Sequence, residues 1–151
     1  MSDSHPSKWW AHLKKSPGLD KQLQRCGRDP RAAFLQPAFG TVLQFFDPDK
    51  QVPTGILLRL AAAAVVTSHI RENDSRVSFA EQAAKAGIRP AVFHGLVNKD
   101  DPMKMALSLI HIVQQMGRKA NVDDLFNSLR FWDRATQERW CLSYYPNSKE
   151  Q

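Results

Sequence analysis

Cysteine is scarce: Cys26 and Cys141 stand alone and far apart. With no CxxC spacing they exclude a disulfide-stapled scaffold or a zinc ribbon, and both are expected to be reduced residues of a cytoplasmic protein. No secretory signal pattern opens the chain. Long apolar runs are missing too. The longest, residues 55–66, is interrupted by Arg59, and a membrane-spanning helix needs about 20 apolar residues. A soluble protein with no membrane partner is therefore expected. No segment alternates with period two for long enough to make a strand, which argues against a sheet.

The usual chemical signatures are also lacking. His69, His94 and His111 are scattered, with no HExxH or Cys/His spacing for a metal, and no GxSxG, Walker or GxGxxG sequence occurs. The carboxylate pairs Asp100–Asp101 and Asp123–Asp124 sit at helix starts, where capping accounts for them. No catalytic residue, metal or cofactor is expected, and the chain does not read as an enzyme.

What is present is helical punctuation. Pro30 follows Asp29, Pro53 precedes an Ala/Leu run and Pro102 follows Asp101. A capping residue with proline at the first helical position starts a helix cheaply, because that N–H has no partner anyway. Ser78 and Glu81 fit a capping box whose helix can stop at Gly87, and Asn121 caps a helix with Asp123 and Asp124 in its first turn. Helices are expected at about 7–15, 19–27, 30–35, 38–46, 53–72, 79–86, 90–98, 102–119, 122–132 and 136–145, with loose tails at 1–7 and 147–151. The class is all-α: two small helical lobes, residues 1–75 and 76–151, packed around a central buried helix, with the break in the ENDSRV loop at 72–77. At 151 residues and 42% apolar content the chain has enough material for one such core.

Lys and Arg number 21 against 15 Asp and Glu, a surplus of six that suits an anionic partner without naming one. Most of it lies in residues 8–31, where Lys8, Lys14, Lys15, Lys21, Arg25, Arg28 and Arg31 face only Asp20 and Asp29. The central helix carries Arg59 beside a smooth wall of Gly55, Ala62, Ala63 and Val66. An arginine there must snorkel to water, pair with a carboxylate or meet a phosphate. Helix 102–119 leaves one polar line, Lys104, Ser108, His111, Gln115, Arg118 and Lys119, which reads either as a solvated strip or as the edge of a groove that follows phosphates. In LRFWDRATQERWCLSYY (129–145), Trp132 and Trp140 lie on the apolar faces of their helices and are most simply core. Arg130, Arg134 and Arg139 fall off those faces, and Phe131 lies opposite the Trp132 stripe, placed to touch a partner subunit.

Taken in order, several of these elements resemble one family. They are Trp9, Trp10 and Leu13; Leu23, Gln24 and Arg25; Pro37, Ala38 and Phe39 with Leu43; and the Leu57–Ala61 stretch. Further along come Phe79 with Ala83, Ala84, Lys85, Ala86 and Gly87; Phe93 with Leu96; Leu125, Leu129 and Trp132; and Trp140, Tyr144 and Tyr145. The chain resembles the CasB family, the small helical subunit of the type I-E CRISPR interference complex (Cascade), from about Trp9 to Tyr145. That resemblance implies a two-lobed, non-catalytic subunit, present as two stacked copies, with the guide RNA, both strands of target DNA and the backbone and large subunits of the complex as partners. Basic side chains of the family support guide–target pairing and the displaced strand. Arg25 and Arg59 match its basic positions, and Lys50, Arg76, Lys99, Lys104, Arg118 and Lys119 lie where a nucleic-acid contact would be sought. Two positions depart from the family pattern: His111 follows Ile110 where the family has Arg after Leu, and Ser128 stands where it has an acid. From another functional class, a helical protein–protein adaptor without nucleic-acid contact accounts for the same composition.

Overall fold

The structure, a computed structural model, describes residues 5–148. The chain is all-α apart from one two-residue strand pair. Helices α1 (His5–Lys14) and α2 (Pro17–Gln24) are followed by a 3-10 segment at Pro30–Leu35, then by α3 (Pro37–Phe46) and α4 (Thr54–Thr67). Strand β1 (Glu72–Asn73) precedes α5 (Phe79–Lys85), α6 (Pro90–Val97) and α7 (Pro102–Gln115). Strand β2 (Lys119–Ala120), α8 (Val122–Arg130) and α9 (Arg134–Tyr144) complete the order, with a last 3-10 turn at Tyr145–Asn147. Residues 5–7, expected in a tail, form the first turn of α1, and 147–148 are ordered onto α9; positions 1–4 and 149–151 lie outside the described residues.

Helix α4 is the axis. It packs most extensively on α8 and α7 and also on the 3-10 segment. Its second half, from Leu60 to Thr67, is fully buried, whereas Thr54, Gly55 and Ile56 in its first turn are exposed. The expected smooth wall beside Arg59 is thus covered at Ala62, Ala63 and Val66, and only Gly55 is open. The hydroxyls buried at its end are satisfied locally: Thr67 Oγ1 donates to Ala63 O (2.8 Å) and Ser68 Oγ to Val65 O (2.6 Å).

Two aromatic groups fill the interior. Trp9, Phe46 and Phe126 draw α1, α3 and α8 together, with Phe46 and Phe126 stacked at 4.7 Å. Phe79, Phe93, Trp132, Trp140 and Tyr144 join α5, α6 and α9, with Phe93 and Tyr144 stacked at 3.9 Å. Both tryptophans of the 129–145 stretch are core, as their periodicity indicates; their indoles meet edge to face at 5.0 Å.

Caps anticipated at Ser78, Asp101 and Asn121 form, each side chain accepting from a first-turn N–H. Asp29 makes no such bond ahead of Pro30, and Asp133 does, accepting from Thr136 N at 2.8 Å and starting α9 two residues earlier than expected.

Two helices are shorter than their periodicity suggests. Helix α7 stops at Gln115 because Gly117 (φ 75°) and Arg118 (φ 61°) turn left-handed, letting Arg118 N reach back to Val113 O (2.9 Å). Helix α4 stops at Thr67, and the chain beyond it pairs with the segment freed from α7. Arg71 N and Glu72 N donate to Arg118 O, and Glu72–Asn73 lie parallel to Lys119–Ala120. Strand pairing here is a consequence of two broken helices, too short to leave period-two alternation.

The carbonyls just after α4 are collected by four side chains from three elements. Lys14 Nζ (2.6 Å) and Gln24 Nε2 (3.1 Å) donate to Ser68 O, Arg118 Nη1 (3.4 Å) to His69 O, and Trp10 Nε1 (3.1 Å) to Ile70 O. Two cations at the negative end of a helix are favourable. His69 is buried among them with Nε2 unpartnered. Burial first, then the charges of Arg118 and Lys14, push its pKa down to about 4 against the opposing pull of Asp20 and the Gln24 backbone. Its folded pKa lies below its unfolded one, so stability is complete above pH 6.5 and falls as pH drops toward 4. A loss on the order of 2–3 kcal/mol across that window is expected in urea titrations. His69→Leu should remove most of that slope.

Candidate nucleic-acid interface

Trp132 organises the best-formed part of the basic surface. Its indole Nε1 donates to Lys99 O (2.8 Å), and its own carbonyl accepts from Arg59 Nη1 (2.8 Å). Arg59 therefore reaches out of α4 along a route not anticipated, toward a backbone carbonyl. One buried residue, through its carbonyl and its indole, thereby brings together two expected site residues, from α4 and from the α6–α7 loop. Gln137 Nε2 adds donors to Val97 O (2.8 Å) and Lys99 O (3.2 Å), fixing that loop against α9. The exposed Lys99 side chain forms no ion pair among the described residues.

Beside it, Arg130 lies between two rings, 5.1 Å from the Phe46 centroid and 4.5 Å from that of Phe131. Burial lowers its pKa from the ordinary guanidinium value. Arg139 donates to Asp124 Oδ1 (3.0 Å) and Ser128 Oγ (2.9 Å), and Trp140 Nε1 also reaches Ser128 Oγ (3.1 Å). The carboxylate missing at Ser128 is thus supplied one turn earlier by Asp124. Arg134 pairs with Glu138 on the exposed side of α9.

Arg76 and Lys119 also come together. With Lys85 they line a groove of about 560 Å³ floored by Val77, Ala86 and Met116. Each cation there faces an acid: Arg76 binds Asp74 (2.9 Å), Lys85 binds Glu81 (2.6 Å) and Lys119 lies 3.5 Å from Glu72. The Arg76 guanidinium holds the Asp74 carboxyl down at about 2.

The remaining expected residues stand apart. Lys50 is presented by a turn in which the buried Asp47 carboxylate accepts from Gln51 N (2.8 Å) and Val52 N (3.1 Å), with Lys50 itself left-handed at φ 56°. Arg25 is the exposed C-cap residue of α2, and Lys104 projects from α7, 3.9 Å from Asp100. The polar line of α7 runs through Lys104, Ser108, His111 and Gln115, all exposed, and ends there. Arg118 belongs to the turn beyond the helix and points inward to His69 O. Arg130 and Phe131 are absent from the expected set, although an arginine and an aromatic both out of phase with the apolar stripe of α8 were a readable signal.

Three comparisons bear on this arrangement. The family model for CRISPR-associated protein Cse2 matches residues 22–145. A chain in the crystal structure of E. coli Cascade bound to a PAM-containing dsDNA target matches with a TM-score of 0.70 and 17% identity, over 95% of this chain and 94% of that one. No curated protein matches the sequence.

Trp132 is expected to be structural and Arg25 is not. In urea denaturation, Trp132→Ala should lose about 3–5 kcal/mol, as large buried aromatics do. Arg25→Ala should stay within about 0.5 kcal/mol of the parent, as exposed substitutions do.

Proposed function

From the premise that this chain belongs to the Cse2 family of CRISPR-associated proteins, we propose that it is the small, non-catalytic subunit of an RNA-guided surveillance complex in the cytoplasm. Its basic surface supports the guide RNA paired to target DNA and helps hold the displaced strand. The backbone and large subunits of the complex and a second copy of this chain are its protein partners. Strand exchange of this kind is nearly balanced in energy, so a few protein–backbone contacts tip it.

The observation that carries the nucleic-acid part of this reading is the Trp132 junction, which holds the Arg59 guanidinium and the backbone of the loop that presents Lys99. Arg59 held this way meets a phosphate with less side-chain freedom left to lose, and Lys99 does so from a loop whose backbone is already fixed. Arg25 and Lys50, exposed and without ion pairs among the described residues, extend the same role. Arg76, Lys104 and Lys119 contribute less, because an acid accompanies each. Arg118 acts through the fold.

A protein-contact role has its own support. Leu35 and Leu142 are 84% and 77% exposed, and Leu142 borders a groove lined by Val97 and Cys141. In the proposed complex those faces meet neighbouring subunits.

The reading is tested by salt dependence. Binding of the full chain to a labelled single strand should weaken linearly in log–log form as salt rises, with a slope of about 0.7 per phosphate neutralised. Arg25→Ala and Lys99→Ala should each reduce that slope by about 0.7 while melting like the parent. A flat salt dependence, or protein partners recovered from cells with no RNA, would instead establish the adaptor.

A further inference from the structure

The strongest unassigned feature is the ring of Phe131. It follows α8 out of phase with the buried stripe of Leu125, Phe126, Leu129 and Trp132, and it is 56% exposed. Among the described residues its one close aromatic or cationic neighbour is Arg130, on one face at 4.5 Å. That guanidinium is itself backed by Phe46 at 5.1 Å. Among the described residues it donates to the Asn127 side chain at 3.5 Å and pairs with no carboxylate. The result is a stack of inner ring, cation and outer ring, with the last face open to solvent.

This stack differs from an ordinary exposed apolar side chain. Leu35, Val92, Leu107 and Leu142 are aliphatic and carry no cation, and Tyr145 is packed edge-on against Phe93 and Tyr144. A cation on one face of a ring draws on its π-density and leaves the opposite face electron-poor, suited to an electron-rich base. The backbone carrying the ring is fixed: Phe131 O accepts from Thr136 Oγ1 (3.4 Å), and the next residue is the buried Trp132. The nearest acid in sequence, Asp133, is occupied in capping Thr136 N and lies in the field of Arg59 and Arg139.

We propose that the open face of Phe131 is a stacking seat for one unpaired nucleobase, so that this end of the interface takes single-stranded nucleic acid. The inference rests on the nucleic-acid reading above and names the form of strand it takes here. Arg59, bonded to the Trp132 carbonyl, and Lys99, on the loop that the Trp132 indole anchors, supply the phosphate contacts, while the ring supplies a contact that depends on the base alone. Bases inside a duplex already have both faces covered, so a single exposed ring selects an unpaired one. Stacking of this kind tolerates any sequence and favours purines by area.

The test compares the full chain on two single strands with equal numbers of phosphates, one carrying 2-aminopurine and adenine, the other abasic. The parent should bind the base-bearing strand about tenfold tighter and change its 2-aminopurine fluorescence. Phe131→Ala should bring that affinity down to the abasic level with the salt slope unchanged, and Phe131→Trp should restore the preference. Equal affinity of the parent for both strands would overturn the stacking seat and leave the phosphate reading standing. Binding of neither strand at low salt would overturn both. The seat also fails if Phe131→Ala keeps the full preference, or if it weakens both strands alike. Loss of co-purifying proteins with strand preference intact would assign the ring to a subunit contact.

Discussion

The carbonyls at the end of α4 are the constraint on which the remaining structure depends. A helix buried along its second half ends with unpaired acceptors inside the molecule, where leaving even one unsatisfied costs about 1–3 kcal/mol. Here the acceptors at Ser68, His69 and Ile70 are met by Lys14, Gln24, Arg118 and Trp10. Those donors come from α1, from α2 and from the turn after α7. The N-terminal helices and the α7 turn therefore converge on the same point at the end of the axis. The parallel pairing of Glu72–Asn73 with Lys119–Ala120 follows from that meeting.

The same junction alters the meaning of the charge. A surplus of six positive charges suggests a broadly basic surface, yet two of the cations, Lys14 and Arg118, are turned inward on helix carbonyls. Arg139, Arg76 and Lys85 are committed to Asp124, Asp74 and Glu81. The cations left for an anionic partner include Arg59 beside the Trp132 carbonyl, Lys99 on the loop that Trp132 anchors, Lys50 on the Asp47 turn and Arg25 at the end of α2, together with the exposed Lys8, Lys15, Lys21, Arg28 and Arg31. Position, more than total charge, distinguishes a strand-binding face from a soluble one.

Most helices were legible because their signals are local. Ser78, Asp101 and Asn121 sit one residue ahead of an apolar period, and Trp132 and Trp140 fall on that period. What the sequence did not disclose was tertiary. Gly117 looked like one residue within a helix, yet its left-handed turn ends α7 and sends Arg118 inward. The chain after Thr67 kept helical composition but gained strand partners from a segment distant in sequence. Individual site residues were least legible, because whether an arginine meets a phosphate, a carboxylate or a carbonyl is settled by neighbours that periodicity does not name. Arg59 illustrates this: its acceptor is the carbonyl of Trp132, whose own side chain was correctly read as core.

The alanines at 61–64 carry a consequence of a different kind. They make the buried middle of α4 slender, α4 packs on both α7 and α8, and the separation of packed helices follows the bulk of the side chains between them. The polar edge of α7 and the Arg130–Phe131 corner at the end of α8 are therefore held at a gauge set by missing atoms. A single added methylene in that run would widen the gauge, shifting one charged surface relative to the other without touching a charge. Because those alanines are wholly buried, added bulk would also overpack the axis itself, at a cost of about 1–3 kcal/mol.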